Sequence, residues 1–226
     1  MDVRFEIPAR CADLLRSGEV DIGLVPVIEL ERQPLEILPG LGIASRGEVL
    51  SILLISKVPV SEIRTLALDA SSRTSVVLTQ MVLAEKYGVR PRTVTAAPDI
   101  EAMLRTADAG LVIGDPALRV DREVPDRVVL DLGAEWTDWT GLPMVYAVWA
   151  ARAGFDWRPA SEALRESWEY GRDRIDQIAS AEHARRGISR ELARDYLTRN
   201  IHFEIGPEYA LGLARYRELA RNAGLV

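Results

Sequence analysis

Apolar and polar side chains alternate in DVRFEIP, and that period of two predicts a strand over residues 3–7. Pro8 then opens a helix reaching Ser17, Gly18 closes it, and EVDIGLVPV supplies the next strand. ERQPLEILPGLGIASRGEV holds no sustained period and reads as a long irregular connection. LSILLIS is apolar at nearly every position, the pattern of a strand buried on both faces of a parallel or mixed sheet. A second cycle follows Pro59: strand RTLALD, helix SRTSVVLTQMVLAEKYG, strand PRTVTAAP, a helix capped by Asp99, and strand AGLVIGDPAL. RVVLDLG and MVYAVWAA are further strands, and from Pro159 the chain is helical. There Leu164, Trp168, Gly171, Ile175 and Ile178 recur at spacings of four and three, a stripe expected to pack in the core. Strand–helix alternation makes this an α/β protein with open sheets. Two cycles divided by GLGIASRGEVLSILLIS predict two lobes, residues 1–55 with 146–226 in one and 56–145 in the other.

In open α/β sheets a ligand sits beyond the carboxyl ends of strands, where helix N-termini point. That rule brings LVPVIE, LDASSRTS and VIGDPAL to one cleft. The joint SSRTS is crowded: Ser71, Ser72, Arg73, Thr74 and Ser75 are all polar, although one hydroxyl suffices to cap a helix. Backbone N–H groups, the hydroxyls of Ser72, Thr74 and Ser75, and the charge of Arg73 together suit a carboxylate or phosphate. No glycine-rich phosphate loop is present, so a carboxylate is the better match. Asp115 in IGDPAL is either a cleft carboxylate or a turn-forming Asp before Pro.

The 226 residues carry 48% hydrophobic and 27% charged side chains, a globular balance. A net charge of −6 argues against nucleic acid or an anionic membrane as partner. The single cysteine, Cys11, is expected to be a small buried hydrophobe. No apolar run approaches the ~20 residues of a membrane span and no secretory signal is evident, so a cytoplasmic location is expected. No metal-binding spacing occurs, and His183 and His202 read as surface and structural residues. Trp136 and Trp139, in EWTDWTGLP, either wall a pocket or pack a seam between lobes, with packing the simpler role.

The segments PARCADLLRSGEVDIGLVPVIEL, LGIASRG, DASSRTSV, VIGDPAL, DLGAEWTDWTGLPMVYAVWA and NIHFEIGPEYALGLARYRELARNAGL follow one another in that order. Together they resemble the chorismate dehydratases of the futalosine route to menaquinone, over nearly the whole chain. The resemblance implies the two-lobed fold of type II periplasmic binding proteins, with the ligand in a cleft between lobes. It implies a dicarboxylate substrate, chorismate, that loses water to give 3-[(1-carboxyvinyl)oxy]benzoate without any cofactor. On that reading Ser72, Arg73, Thr74 and Ser75 hold one carboxylate, and Pro26, Val27 and Ile28 contact the ligand. Ser45 and Arg46 meet the second carboxylate. Gly114 and Asp115 stand where the sister enzyme of the pathway would be expected to carry a histidine. Family members usually begin with a strand and an S-Y-L-N-like motif about thirty residues earlier, so an open strand edge and reduced stability are expected here. A binding module of the same fold, a solute receptor or a regulator's effector domain, remains the rival from another class.

Overall fold

The computed structural model describes residues 2–226. Helix α1 (Pro8–Ser17) starts on its proline and ends where Gly18, at φ +75°, turns its N–H back to the Leu14 and Leu15 carbonyls. It lays Ala12, Leu14 and Leu15 against β1 (Ile22–Pro26), which runs into a single 3-10 turn, Val27–Glu31. The segment expected to be irregular is instead β2 (Leu35–Ser45), eleven residues long. Its Pro39 and Gly40 fall where the register against the neighbouring strand shifts between Ile37 and Gly42. Gly42 permits that pairing, since a Cβ there would stand 2.6 Å from the Ala147 carbonyl oxygen.

The predicted strand at residues 3–7 does not form; residues 2–7 have no regular structure. Val3, Phe5 and Ile7 are all exposed. Alternation alone makes no strand, because the main-chain groups need a neighbour to pair with. No such pairing forms here: among the described residues β1 pairs only with β8, and residues 3–7 join neither sheet.

β3 (Ile52–Ser56) is buried at every position, as its unbroken apolar run requires. After it come β4 (Thr65–Asp69) and α2 (Thr74–Met81), which continues as a π turn over Val82–Lys86. β5 (Arg92–Ala96) and α3 (Ile100–Thr106) follow, and Asp99 caps α3 by accepting from the Ala102 N–H. Next stand β6 (Ala109–Ile113), a single turn α4 (Asp115–Leu118), β7 (Val128–Asp131) and α5 (Leu132–Thr140). β8 (Met144–Arg152) returns to the first sheet, followed by α6 (Arg158–Arg172), α7 (Ile175–Glu182), α8 (Arg190–Asp195), β9 (His202–Ile205) and α9 (Pro207–Asn222).

The first sheet has the order β1-β8-β2-β9, all its pairs antiparallel; the second, mixed, has the order β5-β4-β6-β3-β7. Because β3 lies in the second sheet, the chain crosses over between Ser45 and Ile52, ahead of the lobe boundary expected at residue 55. One apolar core runs through both lobes: Leu54, Leu66, Leu78 and Trp136 from one side meet Val27, Ile28, Val148 and Tyr216 from the other. Trp136 packs a seam, as the simpler expectation had it, edge-on to Trp139 at 5.9 Å and Tyr216 at 6.2 Å. The stripe on α6 and α7 is not core. Leu164, Trp168, Gly171 and Ile175 are half-buried, Ile178 is exposed, and Trp168 stacks on Phe203 at 4.7 Å. Among the described residues no helix is long and apolar enough to cross a membrane.

Candidate functional site

Strands β4 and β6 run parallel, so both deliver their carboxyl ends to the same edge of the second sheet. A cavity of about 1010 Å³ opens at that edge and faces β1 and β8 of the first sheet. Its volume stands at the upper end for small-molecule sites, which run roughly 300–1,000 Å³. It continues along the open edge of β1 towards Val3, Phe5 and the start of α6.

Three of the four hydroxyls of the crowded joint have their own tasks, and donor–acceptor chemistry fixes their direction. Ser71 turns back on Asp69, donating its Oγ–H at 2.6 Å, while the other carboxylate oxygen of Asp69 accepts the Ile113 N–H at 3.2 Å. Ser72 Oγ accepts the Ser75 N–H at 3.3 Å and so keeps its own hydrogen for the cavity. Thr74 must donate to the Tyr146 carbonyl, 3.0 Å away, and presents only lone pairs to a ligand. The Tyr216 hydroxyl reaches the Thr74 carbonyl at 3.0 Å, so lobe one clamps this helix start from two sides. The first main-chain hydrogen bond at the start of α2 is Val77 N–H to Arg73 O, which leaves the N–H groups of Thr74 and Val76 without a carbonyl of the helix. An anion at this point would meet those groups, the helix dipole and Ser72 together.

Arg73 lines the cavity, but its charge is engaged elsewhere. It bonds Asp13 at 2.8 Å and Glu29 at 3.1 Å, across the seam between lobes. Burial works against its charged form, yet the hydrogen bonds to Asp13 and Glu29 outweigh that and hold the guanidinium above its ordinary pKa.

Of the other residues expected at the ligand, Ser75, Pro26 and Gly114 line the cavity with Ser72 and Thr74. Gly114 sits at φ +67°, ψ −144°, a backbone conformation that favours glycine, and its N–H bonds the Ser51 carbonyl at 2.8 Å. Five expected residues stand elsewhere. Val27 and Ile28 are fully buried, because the 3-10 turn after β1 directs them into the core. Ser45 is buried against the Tyr146 hydroxyl at 2.8 Å. Arg46 points outward to Glu208 at 2.7 Å. Asp115, at the start of α4, forms an ion pair with Arg186 at 2.8 Å and is not on the cavity wall.

Cys11 is half-buried on the cavity wall rather than in the core, and burial, then the charge of Glu6, push its thiol pKa up, away from a nucleophile. His183 Nδ1 meets the Ile188 carbonyl and His202 Nδ1 the Tyr209 hydroxyl, both away from the cavity. Among the described residues no cluster of three His, Cys, Asp or Glu side chains is placed to hold a metal ion.

Three wall residues escaped the sequence reading. Tyr146 on β8, Tyr196 after α8 and Ser51 before β3 all face the cavity. Burial pushes both phenols well above the usual tyrosine range, so each remains a neutral O–H donor. Tyr196 donates to Ser51 Oγ at 2.9 Å. Only the antiparallel pairing of Ile52 with Ile113, which local patterns do not announce, brings Ser51 beside Gly114.

A family profile for menaquinone biosynthesis matches residues 1–222. A chorismate dehydratase of Thermus thermophilus is 33% identical over 230 residues, covering 94% of this chain and 84% of that one. A crystal structure of a protein from Archaeoglobus fulgidus superposes with a TM-score of 0.77 at 20% identity, over 99% of this chain and 86% of its own. The periplasmic aliphatic sulphonate binding protein SsuA of Escherichia coli matches with a TM-score of 0.65 at 16% identity, over 99% and 77%. These structural likenesses show the fold: two-sheet α/β, of the periplasmic-binding-protein kind.

Proposed function

Because this chain belongs to the menaquinone biosynthesis family, we propose that it is a hydro-lyase that converts chorismate to 3-[(1-carboxyvinyl)oxy]benzoate and water. One observation carries the reading: the SSRTS joint aims main-chain N–H groups and the Ser72 hydroxyl into an otherwise largely apolar cavity between two lobes. Such a site orients a carboxylate-bearing ring and excludes water. Aromatisation then draws the elimination forward, so the chain needs no redox group or carrier. The acidic side chains on the wall belong to the N-terminal segment, the α1–β1 turn and the approach to α6, whereas the SSRTS joint offers donors, and the Asp69 carboxylate at the end of β4 is off the wall and engaged by Ser71 and the Ile113 N–H. The proton therefore goes to the substrate's own enolpyruvyl carboxylate. A small-anion binding protein is the second reading, supported by the fold it shares with SsuA.

The test is to incubate the purified chain with chorismate and follow the enol-ether benzoate by chromatography with mass detection. Product above the spontaneous rate supports the lyase; chorismate bound and recovered intact supports the binding protein. Asp115→Asn is expected to keep turnover within about tenfold, since its carboxylate is engaged by Arg186. A loss beyond about 10⁴-fold with intact folding would make Asp115 the base and overturn the substrate-assisted step.

A further inference from the structure

We propose that Ser51 is the hydrogen-bond donor to the departing ring hydroxyl and that Tyr196 is the positioning residue that aims it, an assignment that rests on the dehydratase reading. Tyr196 donates to Ser51 Oγ at 2.9 Å, so the hydrogen of Ser51 points elsewhere. Ser51 is 5% exposed, and the open space its side chain faces is the cavity. Its main chain is fixed independently, because the Ser51 carbonyl accepts the Gly114 N–H at 2.8 Å. Tyr196 is held beside it by the C-terminal helical segment, which also grips the second lobe through Arg186 to Asp115 and the crossover segment through Asn200 to the Glu48 carbonyl.

The spacing suits one six-membered ring. Ser51 immediately precedes β3, and SSRTS follows β4, with β6 between the two strands in the sheet. Neighbouring strands lie about 4.8 Å apart, so the two groups of donors stand about 10 Å apart along one edge. A ring whose carboxylate rests at the α2 N-terminus presents its para hydroxyl to Ser51. Thr74 cannot take this role, because its hydrogen is committed to Tyr146.

In the step, the ring C–O bond breaks and its electron pair leaves on oxygen. The hydrogen on the neighbouring ring carbon passes as a proton to the substrate's enolpyruvyl carboxylate and ends on the departing oxygen, giving water. Ser51 keeps its proton and stabilises the charge that builds on the leaving oxygen.

Ser51→Ala, Tyr196→Phe and the double variant test this against chorismate, with melting curves as a control for folding. Ser51→Ala is expected to lower kcat about 10²-fold and leave KM within about threefold, since the bond strengthens only as charge develops. Tyr196→Phe is expected to lower kcat about tenfold, and the double variant to be no slower than Ser51→Ala alone. Losses that multiply would show that Tyr196 does not act through Ser51. A folded Ser51→Ala at wild-type kcat would overturn the assignment while the dehydratase reading stood. A wild-type chain that binds chorismate without turning it over would overturn both.

Discussion

Replacing Glu29 by alanine is expected to cost about 3 kcal/mol of folding stability. Glu29 is fully buried in the turn after β1. A carboxylate removed from water survives as an ion only when its lone pairs are answered. Here Arg16 answers at 2.7 Å, Gln33 at 2.9 Å, Arg73 at 3.1 Å and Arg32 at 3.3 Å. Arg73 comes from the second lobe, so this cluster ties the lobes together at the root of the cleft. Removing the carboxylate leaves three cations facing one another. Arg16 is 50% exposed and Arg32 35%, so both recover water, which puts the loss at the low end of the range for a broken buried pair. Glu29→Gln keeps volume and one acceptor and is expected to lose less. It also loosens Arg73, so its affinity for a dicarboxylate should rise while stability falls. Urea midpoints and ligand titration read the two effects separately, and an unchanged midpoint for Glu29→Ala would show that the arginines do not depend on this carboxylate.

Trp136→Ala is expected to be still more damaging, about 4 kcal/mol, which for a chain of this length lowers Tm by roughly 10 °C. Trp136 is the bulkiest of the fully buried side chains and meets Trp139, Tyr216 and the Pro143 carbonyl, to which its indole donates at 3.2 Å. Truncation opens a cavity at the seam and strips that carbonyl of its donor. Trp136→Phe refills most of the space and should cost about half as much, chiefly for the lost hydrogen bond. Because Trp136 is not on the cavity wall, KM of the phenylalanine variant should match that of the parent. A raised KM with unchanged Tm would place the ring at the ligand instead.

Local pattern carried far in this chain. Helix α1 begins on Pro8 and ends at Gly18, Asp99 caps α3, and LSILLIS is buried at all five strand positions, because caps, breakers and apolar runs act over a few residues. The joint SSRTS and Gly114 stand on one cavity because strand ends and helix starts obey a general topological rule. Pairing, in contrast, is settled between residues far apart in sequence. Whether DVRFEIP is a strand depends on pairing with a neighbour, and residues 3–7 join neither sheet. Whether Pro39 and Gly40 break β2 depends on a register shift against β8. Arg73 reads as a free cation until the fold brings Asp13 and Glu29 to it, and Ser51 reads as a strand residue until Tyr196 reaches it from 145 positions away. The sequence by itself determined the helix caps, the buried strand β3 and the donor-rich turn, whose causes are local. Only the tertiary structure decided which of those donors are already engaged and which still face the cavity, since a hydrogen bond has a direction and its partner can lie anywhere along the chain.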